Sequence, residues 1–539
     1  MSNKDSARLC EEIIHEHFGP VTAKVASVLL HHGRLNFPLL LRLTGLRSRV
    51  ASLAVLILVQ HNLLWHFTST DEGEMLELAW EEVLYRLRFG RYIDLAHKTL
   101  GEAAAEVVSL ILDHGKLRLP DIIDHLASRD SKKQKLYKNA VFTLLDSRYL
   151  KPTTGRAHNS PCDFLIDFEE KEKAANKSVL SAKQLRELKE RARIELGKLI
   201  EKEAQSGLKR KDDEAMNGKS KKRQKVDEDM INEEAYLRVN YSKYDILIRN
   251  QLIENAASQR HNHFAGIVLR ATLLATLPKQ LGMSDVRTDP ATLNSIVQAL
   301  PENTHLAGVS SAEKSSQAAL TKEYVNILCS MDNPTSVGRE SAFMSYIGGI
   351  SSGKVSVELE IIGKRLKRRV LEGVVREKWG DEGVRIVRIL IDKGKLSEDH
   401  VSKISMMHKK DVQPLLVALS AASIIAQQEV PRGTERTPSK TFYLWYIDLP
   451  QTYSVLLASF YKTLGNIIAR RREEEGKVRV VLDKKERSEA AASANAEATL
   501  GRAEREALKE WEERKERLGV LQRRMEECVF VLKDMGAAE

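Results

Sequence analysis

Between Gly383 and Asp448 the apolar positions change period. Val384, Ile386, Val387, Leu390 and Ile391 recur at helical spacing and stop before Gly394, a residue type that closes a helix in the left-handed conformation. Lys395 and Leu396 leave room for one bridging strand residue. Ser397 is suited to cap a second helix ending at Ser405, and a third begins at Asp411 with Pro414 in its first turn, where a missing N–H costs nothing. Ile424–Val430 and Thr441–Ile447 then turn to β-branched and aromatic residues. The stretch between them, Pro431–Lys440, holds two prolines, a glycine and three basic side chains, which is turn composition.

Three helices closed by a hairpin make a winged helix, a relative of the helix-turn-helix, and the chain repeats that unit. Val25, Ser27, Leu30, His32, Gly33, Leu35 and Pro38 match Val107, Ser109, Leu112, His114, Gly115, Leu117 and Pro120 at one constant offset. Ile391, Gly394 and Leu396 continue the helix-Gly-x-Leu pattern, with Asp399 where the first two copies have proline. The first copy follows a lead-in helix, Ala7–Phe18, and consists of helices Val21–His32, Phe37–Thr44 and Arg49–Gln60 and strands Leu63–Thr68 and Met75–Ala79. The second has helices Ala103–His114, Asp121–Ser128 and Gln134–Asp146, with Tyr149–Pro152 and Phe164–Phe168 as its hairpin. A longer copy reads as helices Arg238–Ser258, His263–Leu277, one started by Asp289 and Pro290 and running to Leu300, and Ser316–Ser330, then strands Ala342–Ile347 and Lys354–Leu359.

The expected fold is mainly α with small β hairpins: winged helices over residues 1–80 and 81–168, a charged flexible linker over 169–235, an extended winged helix over 236–359, a basic helix and a fourth winged helix over 360–450, and a C-terminal helical hairpin over 451–539. Inside the linker, Leu185, Leu188, Ala192, Leu196 and Leu199 keep helical steps across Ser181–Ala204. In the final hairpin one coiled-coil seam runs through Leu457, Tyr461, Leu464, Ile468, Val478 and Leu482, broken by Arg471 and Glu475. The other repeats Trp511, Leu518, Met525 and Leu532 every seven residues. Short, impure seams favour a docking arm over a dimerising coiled coil, and Ser488–Ala498 is small enough to reverse the chain.

The third helices carry the candidate chemistry. In the first copy Val50–Val59 is almost wholly apolar, which leaves nothing to read a base edge and points to protein docking through Leu53, Leu56 and Ile57. Trp511, Leu518 and Met525 are docking candidates on the arm. In the second copy Lys132, Lys133, Lys135 and Lys138 crowd the start of the third helix, with Arg148 beyond its end, a placement suited to phosphates. Lys409, Lys410 and Arg432 are the corresponding candidates in the last copy. Lys364, Arg365, Lys367, Arg368 and Arg369 form a basic helix that suits nucleic acid or an acidic protein surface. Lys209, Arg210, Lys221, Lys222, Arg223 and Lys225 have the two-cluster spacing of a nuclear-import signal in an aromatic-free linker.

Composition narrows the class only modestly. The 539 residues carry 85 Lys and Arg against 75 Asp and Glu, a net charge of +10 that fits nucleic-acid association without requiring it. Cys10, Cys162, Cys329 and Cys528 show no paired spacing, so free thiols in a reducing compartment are expected, with no metal and no cofactor. Leu53–Val59, the longest apolar run, is far short of the ~20 residues that span a bilayer, and a soluble intracellular protein is expected. No HExxH, CxxC or GxSxG and no magnesium-type aspartate cluster is present, so catalysis by this chain is not expected. Gly348–Lys354 fits GxxxxGK, but Val355 replaces the magnesium-binding Ser or Thr and alternates with Val357 and Leu359 as a strand does. It reads as a wing rather than a nucleotide loop.

Gly33-Arg-Leu-Asn-Phe-Pro38, Arg238-Val-Asn-Tyr241, Gly394-Lys-Leu396, Gln428-Glu-Val-Pro-Arg432 and above all Thr441-Phe-Tyr-Leu-Trp-Tyr-Ile-Asp448 carry a resemblance to a known family. The chain resembles the large tandem-winged-helix subunit of the RNA polymerase III-specific initiation heterotrimer, the third-largest subunit of that polymerase. The resemblance implies a non-catalytic nuclear subunit that sits with two smaller partners on the clamp of the largest subunit, contacts promoter DNA near the melted start site, and assists opening at transfer RNA and 5S ribosomal RNA genes. The alternative is a free-standing winged-helix transcription factor, which needs a base-reading third helix. A cullin-type or proteasome-lid scaffold would need a helical-repeat array that this chain lacks.

Overall fold

The helix-Gly-x-Leu repeat has the same structural meaning in three places. In the computed structural model Gly33, Gly115 and Gly394 each end a helix at positive φ (78°, 84° and 78°), and each amide donates to the carbonyl four residues back. The leucine two positions on then joins a wing strand: Leu35 opposite Leu76, Leu117 opposite Leu237, Leu396 opposite Trp445. The structure describes the chain apart from residues 1–3, 70–72, 128–129, 176–180, 206–232, 281, 302–305, 307–315, 331–341, 349–352, 432–440, 491–500 and 536–539. It divides into two units, Met1–Tyr244 and Asp245–Glu539.

In the first unit α1 (Lys4–His32) is broken at Gly19, so the lead-in helix and the first helix of the repeat are two segments on either side of one kink. β1 (Leu35–Asn36), α2 (Phe37–Thr44), α3 (Ser48–Gln60), β2 (Leu64–Ser69) and β3 (Gly73–Leu78) follow, with strand order β1-β3-β2. Asn36 Oδ1 accepts from the Leu39 amide and Pro38 occupies the first turn, which fixes where α2 starts. α4 (Trp80–Leu84), a 3₁₀ turn and α5 (Phe89–Leu100) lead to the second copy: α6 (Glu102–His114), α7 (Leu119–Ala127), α8 (Ser131–Asp146) and β4 (Leu150–Thr153).

The second wing departs from the sequence reading. Phe164–Phe168 is not its return strand but part of α9 (Pro161–Ala175), which has Asp163 in its first turn. β4 pairs instead with β5 (Tyr236–Val239), from beyond α10 (Ala182–Gln205). Leu237 and Val239 point into the core while their neighbours face out, the alternation a half-buried strand requires. Arg238-Val-Asn-Tyr241 therefore completes the second wing instead of opening a helix at Arg238, and α11 begins at Tyr241 (Tyr241–Arg260). α10 keeps the predicted amphipathicity, with Leu188 and Ala192 buried.

In the second unit α12 (His263–Thr276), β6 (Ala291–Thr292), α13 (Leu293–Ala299), α14 (Gln317–Cys329), β7 (Met344–Tyr346) and β8 (Lys354–Val357) form the longer copy, with strand order β6-β8-β7. Asp289 and Pro290 do not start α13: Ala291–Thr292 is taken into the sheet, and Thr292, with Ser295, builds a capping box three residues later than Asp289. Val355 is buried opposite Ala291 and Tyr346, the strand environment expected where GxxxxGK fails its context. The basic helix and the next helix are segments of α15 (Leu359–Lys393), broken at Gly380. α16 (Glu398–Ser405) matches its predicted span. α17 (Lys409–Ala421) begins at Lys409 rather than Asp411, because extended His408 already serves as N-cap, and Pro414 therefore lies in the second turn. β9 (Ala426–Pro431) and β10 (Thr441–Tyr446) pair antiparallel, and α18 (Leu449–Ala490) and α19 (Arg502–Lys533) form the expected hairpin. The architecture is mainly α with small antiparallel sheets.

One regularity escaped the sequence. α3, α8 and α17 all end with a non-glycine residue in the left-handed region, Asn62, Arg148 and Ser423, at φ 57°, 62° and 58°. The next amide returns to the same relative carbonyl each time: Leu63 to Leu58, Tyr149 to Leu144, Ile424 to Leu419. This shared cap turns the chain from the third helix into the wing.

Candidate nucleic-acid and protein interfaces

Within the first unit the two winged helices are locked through the end of α3 and the turn after α6. Gln60 Nε2 donates to the carbonyls of His114 and Lys116 at 3.0 and 2.8 Å. Gly115 lies between them, and a Cβ there would come within 2.5 Å of Gln60 O and 2.8 Å of His61 Cα. Glycine is required by space as well as by φ. Lys116 Nζ donates to Val59 O at 3.4 Å and to His158 Nε2 at 3.0 Å, and Arg34 bridges Glu77 on β3 and Asp163 on α9 at 2.7 Å each.

Arg86 closes the junction from beneath. Its Nη2 donates to His61 Nδ1 at 2.9 Å while its guanidinium sits 4.2 Å from the Phe18 ring centre. Guanidinium cannot accept, so His61 Nδ1 must be an unprotonated acceptor. Burial, and then the Arg86 cation, push the His61 pKa down to about 3. Burial, and then Lys116, bring His158 down to about 4, while burial lowers Arg86 to about 10. At neutral pH both imidazoles are uncharged, and the junction buries no histidine cation.

α8 presents the basic candidates as a solvent face. Tyr137, Val141, Leu144 and Leu145 point inward. Lys132, Lys133, Lys135 and Asn139 are exposed, Lys138 is half-buried, and Leu136 stands out among them. None of the four lysines forms an ion pair among the described residues, so their charge is open to a phosphate. Asp130 Oδ1 accepts from the Lys132 amide and starts the helix three residues before the predicted Gln134. Arg148 is exposed at the left-handed cap, where its carbonyl accepts from Asn240 Nδ2 at 2.8 Å.

α3 has the same place in the first copy and the opposite surface. Ala51, Ala54 and Leu58 pack inward, while Leu53 and Leu56 are 57% and 64% exposed and Val50 and Ile57 are also exposed. Leu39 and Leu43 of α2 add two more outward apolar side chains. The helix is apolar all round, yet half of it meets solvent, which is the pattern of a surface awaiting a partner.

The remaining candidates divide. The basic helix is largely engaged inside its own unit: Lys364 pairs with Glu360, Arg368 with Glu372 and Asp392, Arg369 Nη2 donates to Gln259 Oε1, and Arg365 stacks 4.0 Å from the Phe343 ring centre. Lys367 is half-buried. Lys409 is paired with Asp399 and Lys410 is exposed. Arg432, and Lys209, Arg210, Lys221, Lys222, Arg223 and Lys225, lie outside the described residues. Trp511 is buried within the α18–α19 hairpin, so it supplies core rather than docking surface, whereas Leu518 and Met525 are half-buried. Glu474, an acid buried inside the hairpin, is met by Arg470, Lys477 and Arg514 at 2.7, 2.8 and 3.1 Å, while Glu475 faces solvent. Gln60, Arg86 and the packing role of Gly115 were not legible as site features, since each acts through a neighbour far along the chain.

Three family models match the chain. One described as the RNA polymerase III subunit RPC82 helix-turn-helix domain covers residues 8–69, one described as RNA polymerase III subunit RPC82 covers 139–358, and one described as the POLR3C C-terminal winged-helix domain covers 371–447. Among curated proteins the chain is similar to DNA-directed RNA polymerase III subunit rpc3 of Aspergillus clavatus, 25% identical across 99% of this chain and 100% of that one. RPC-3 of Coccidioides immitis is 25% identical across 98% of this chain and 99% of its own length, and RPC3 of Danio rerio 26% identical across 90% and 87%.

Proposed function

Because the chain belongs to the RNA polymerase III subunit family called RPC82 or RPC3, we propose that it is a non-catalytic subunit that docks on the clamp of the largest polymerase III subunit and contacts promoter DNA as it opens. In this reading it acts in the nucleus with the two smaller subunits of the initiation heterotrimer, for transcription of transfer RNA and 5S ribosomal RNA genes. The role as an RNA polymerase III subunit rests on its relatives, which align over nearly their whole length as well as its own; a free-standing transcription factor is not favoured.

The observation that supports the finer reading is the division of labour between α3 and α8. An exposed apolar helix suits assembly into a larger machine, and an exposed lysine face in the neighbouring copy suits a phosphate backbone. The active site of the polymerase would then lie on other subunits. The test is to purify a tagged full-length copy from nuclear extract in moderate salt and identify what remains bound. Polymerase III subunits in equal amounts are expected. Recovery of the chain alone, or with a different complex, would overturn the reading.

A further inference from the structure

From Phe37 to Gln60 the chain contains no aspartate or glutamate, while Arg42, Arg47 and Arg49 are all exposed. These three arginines accompany the outward apolar residues: Arg42 lies between Leu39 and Leu43 on α2, and Arg47 and Arg49 stand at the start of α3, just before Val50. None of the three forms an ion pair among the described residues, whereas several other exposed arginines, such as Arg376, Arg388 and Arg514, are met by a carboxylate.

The start of α3 is also open to an anion. Its N-cap is Arg47, with no side-chain cap hydrogen bond and no acid in the first turn. α2, α8, α12 and α14 are each capped by a side-chain oxygen, from Asn36, Asp130, Asn262 and Ser316. Uncapped first-turn amides and two arginines at a positive helix end give that corner a doubled preference for negative charge. Leu53 and Leu56, among the most exposed leucines described, continue from it along the helix.

We propose that the outward face of α2 and α3 receives an acidic amphipathic segment of another polymerase subunit. Apolar anchors of that segment rest on Leu39, Leu43, Leu53, Leu56 and Ile57, and its carboxylates meet Arg42, Arg47, Arg49 and the amides at the start of α3. The charge pattern selects the partner's chemistry: a neutral or basic segment would leave three arginines facing nothing or facing repulsion. DNA is disfavoured on the same face, because its centre is hydrocarbon, and Gln60, the one amide side chain on the helix, is already committed to His114 and Lys116. The proposal rests on the subunit reading above and adds the chemistry of the contact.

The experiment uses the full-length chain assembled into polymerase in cells, with Leu56→p-benzoylphenylalanine as a photocrosslinker and mapping of the joined peptide by mass spectrometry. The expected product is a segment of another subunit with apolar residues at three- and four-residue spacing and an excess of Asp and Glu. A crosslink to a neutral or basic segment, to a second copy of this chain, to lipid or to nucleic acid, or no crosslink within an assembled complex, would overturn the proposal. A second arm replaces all three arginines, R42E/R47E/R49E, each exposed and therefore compatible with folding. At least a tenfold loss of retained polymerase at 0.1 M salt is expected, with a smaller difference from wild type as salt rises. Retention equal to wild type would overturn the proposal. If the unaltered chain fails to recover polymerase at all, the subunit reading fails instead, so the two outcomes are distinguishable.

Discussion

α3 and α8 are the same element built twice and surfaced in opposite ways. Each is the third helix of a winged helix, each ends in the same left-handed cap, and each buries a short inward stripe: Ala51, Ala54 and Leu58 in one, Val141, Leu144 and Leu145 in the other. The outward stripes differ in character, although Leu136 is an exposed leucine on α8. α3 offers leucine, isoleucine and valine with an uncapped, arginine-bearing start, whereas α8 offers four lysines and an asparagine behind an aspartate cap. The scaffold decides where a helix is held, and a handful of solvent-facing positions decide what it is held for.

The sharpest way to break that comparison is to alter each outward face separately. Leu53→Glu with Leu56→Glu should reduce polymerase retention by at least a hundredfold, since removing two apolar anchors and placing two charges in the contact costs about 3 kcal/mol or more. DNA affinity should be unchanged. Lys132→Glu, Lys133→Glu and Lys135→Glu together should do the reverse, weakening binding to duplex or bubble DNA by about a hundredfold at 0.1 M salt and lowering the salt slope by roughly 2 to 3. Affinity pull-downs and fluorescence anisotropy read the two losses. If either variant lost both partners, or the lysine variant kept its DNA affinity, the separation of roles would be wrong.

The two faces work as a pair only if the copies are held together. Gly115→Val should destabilise the first unit by about 3 kcal/mol, because a side chain at positive φ is strained and its Cβ meets the Gln60 carbonyl and His61 backbone. For a unit of this size the melting temperature should fall by roughly 5–10 °C. An unchanged melting curve would mean the junction is looser than its hydrogen bonds imply.

The same junction sets a pH dependence. His61 titrates near 3 when folded and near its ordinary value of 6.5 when unfolded. Between those values the unfolded chain binds more protons, so stability is complete above about pH 6.5 and declines as pH falls toward 3, at up to about 1.4 kcal/mol per unit. His158, lowered to about 4, adds to the slope in the same direction. Wild type should therefore lose more melting temperature between pH 7.5 and 5.5 than His61→Gln, and equal losses would remove His61 from the account.

The repeat itself was legible because Gly-x-Leu encodes a local event, a helix stop followed by one bridging residue, and local events leave their mark on adjacent letters. α2 was legible for the same reason, with Asn36 and Pro38 fixing its start. The second wing was not, because β4 takes its partner from Tyr236–Val239, across two helices, and nothing in the alternation of either strand names the other. The apolar run Phe164–Ile166 suited a strand equally well, until the Arg34–Asp163 contact and the pairing of β4 elsewhere left it to a helix. The basic stretch Lys364–Arg369 suited an external anion in sequence because, beyond the local acids Glu360 and Glu372, the groups that engage it, Asp392, the Gln259 amide and the Phe343 ring, are distant in sequence. In contrast, the lysines of α8 have no such partners among the described residues, and composition alone could not tell the two clusters apart.

The smallest expected effect is the most discriminating for α8. Asn62, Arg148 and Ser423 hold the same left-handed cap, where glycine would be free of strain, so each costs the fold about 1 kcal/mol. Asn tolerates that region best, and an arginine there has less local reason to be present. Arg148→Gly should accordingly raise the stability of the first unit by about 1 kcal/mol, seen as a melting temperature higher by a few degrees. If the strained cap is retained because it carries a guanidinium to a phosphate beside the lysine face, the same variant should bind DNA up to about tenfold more weakly and lower the salt slope by about 1. A more stable protein with unaltered DNA binding would take Arg148 out of the interface and leave the lysines at the other end of α8 as its whole electrostatic content.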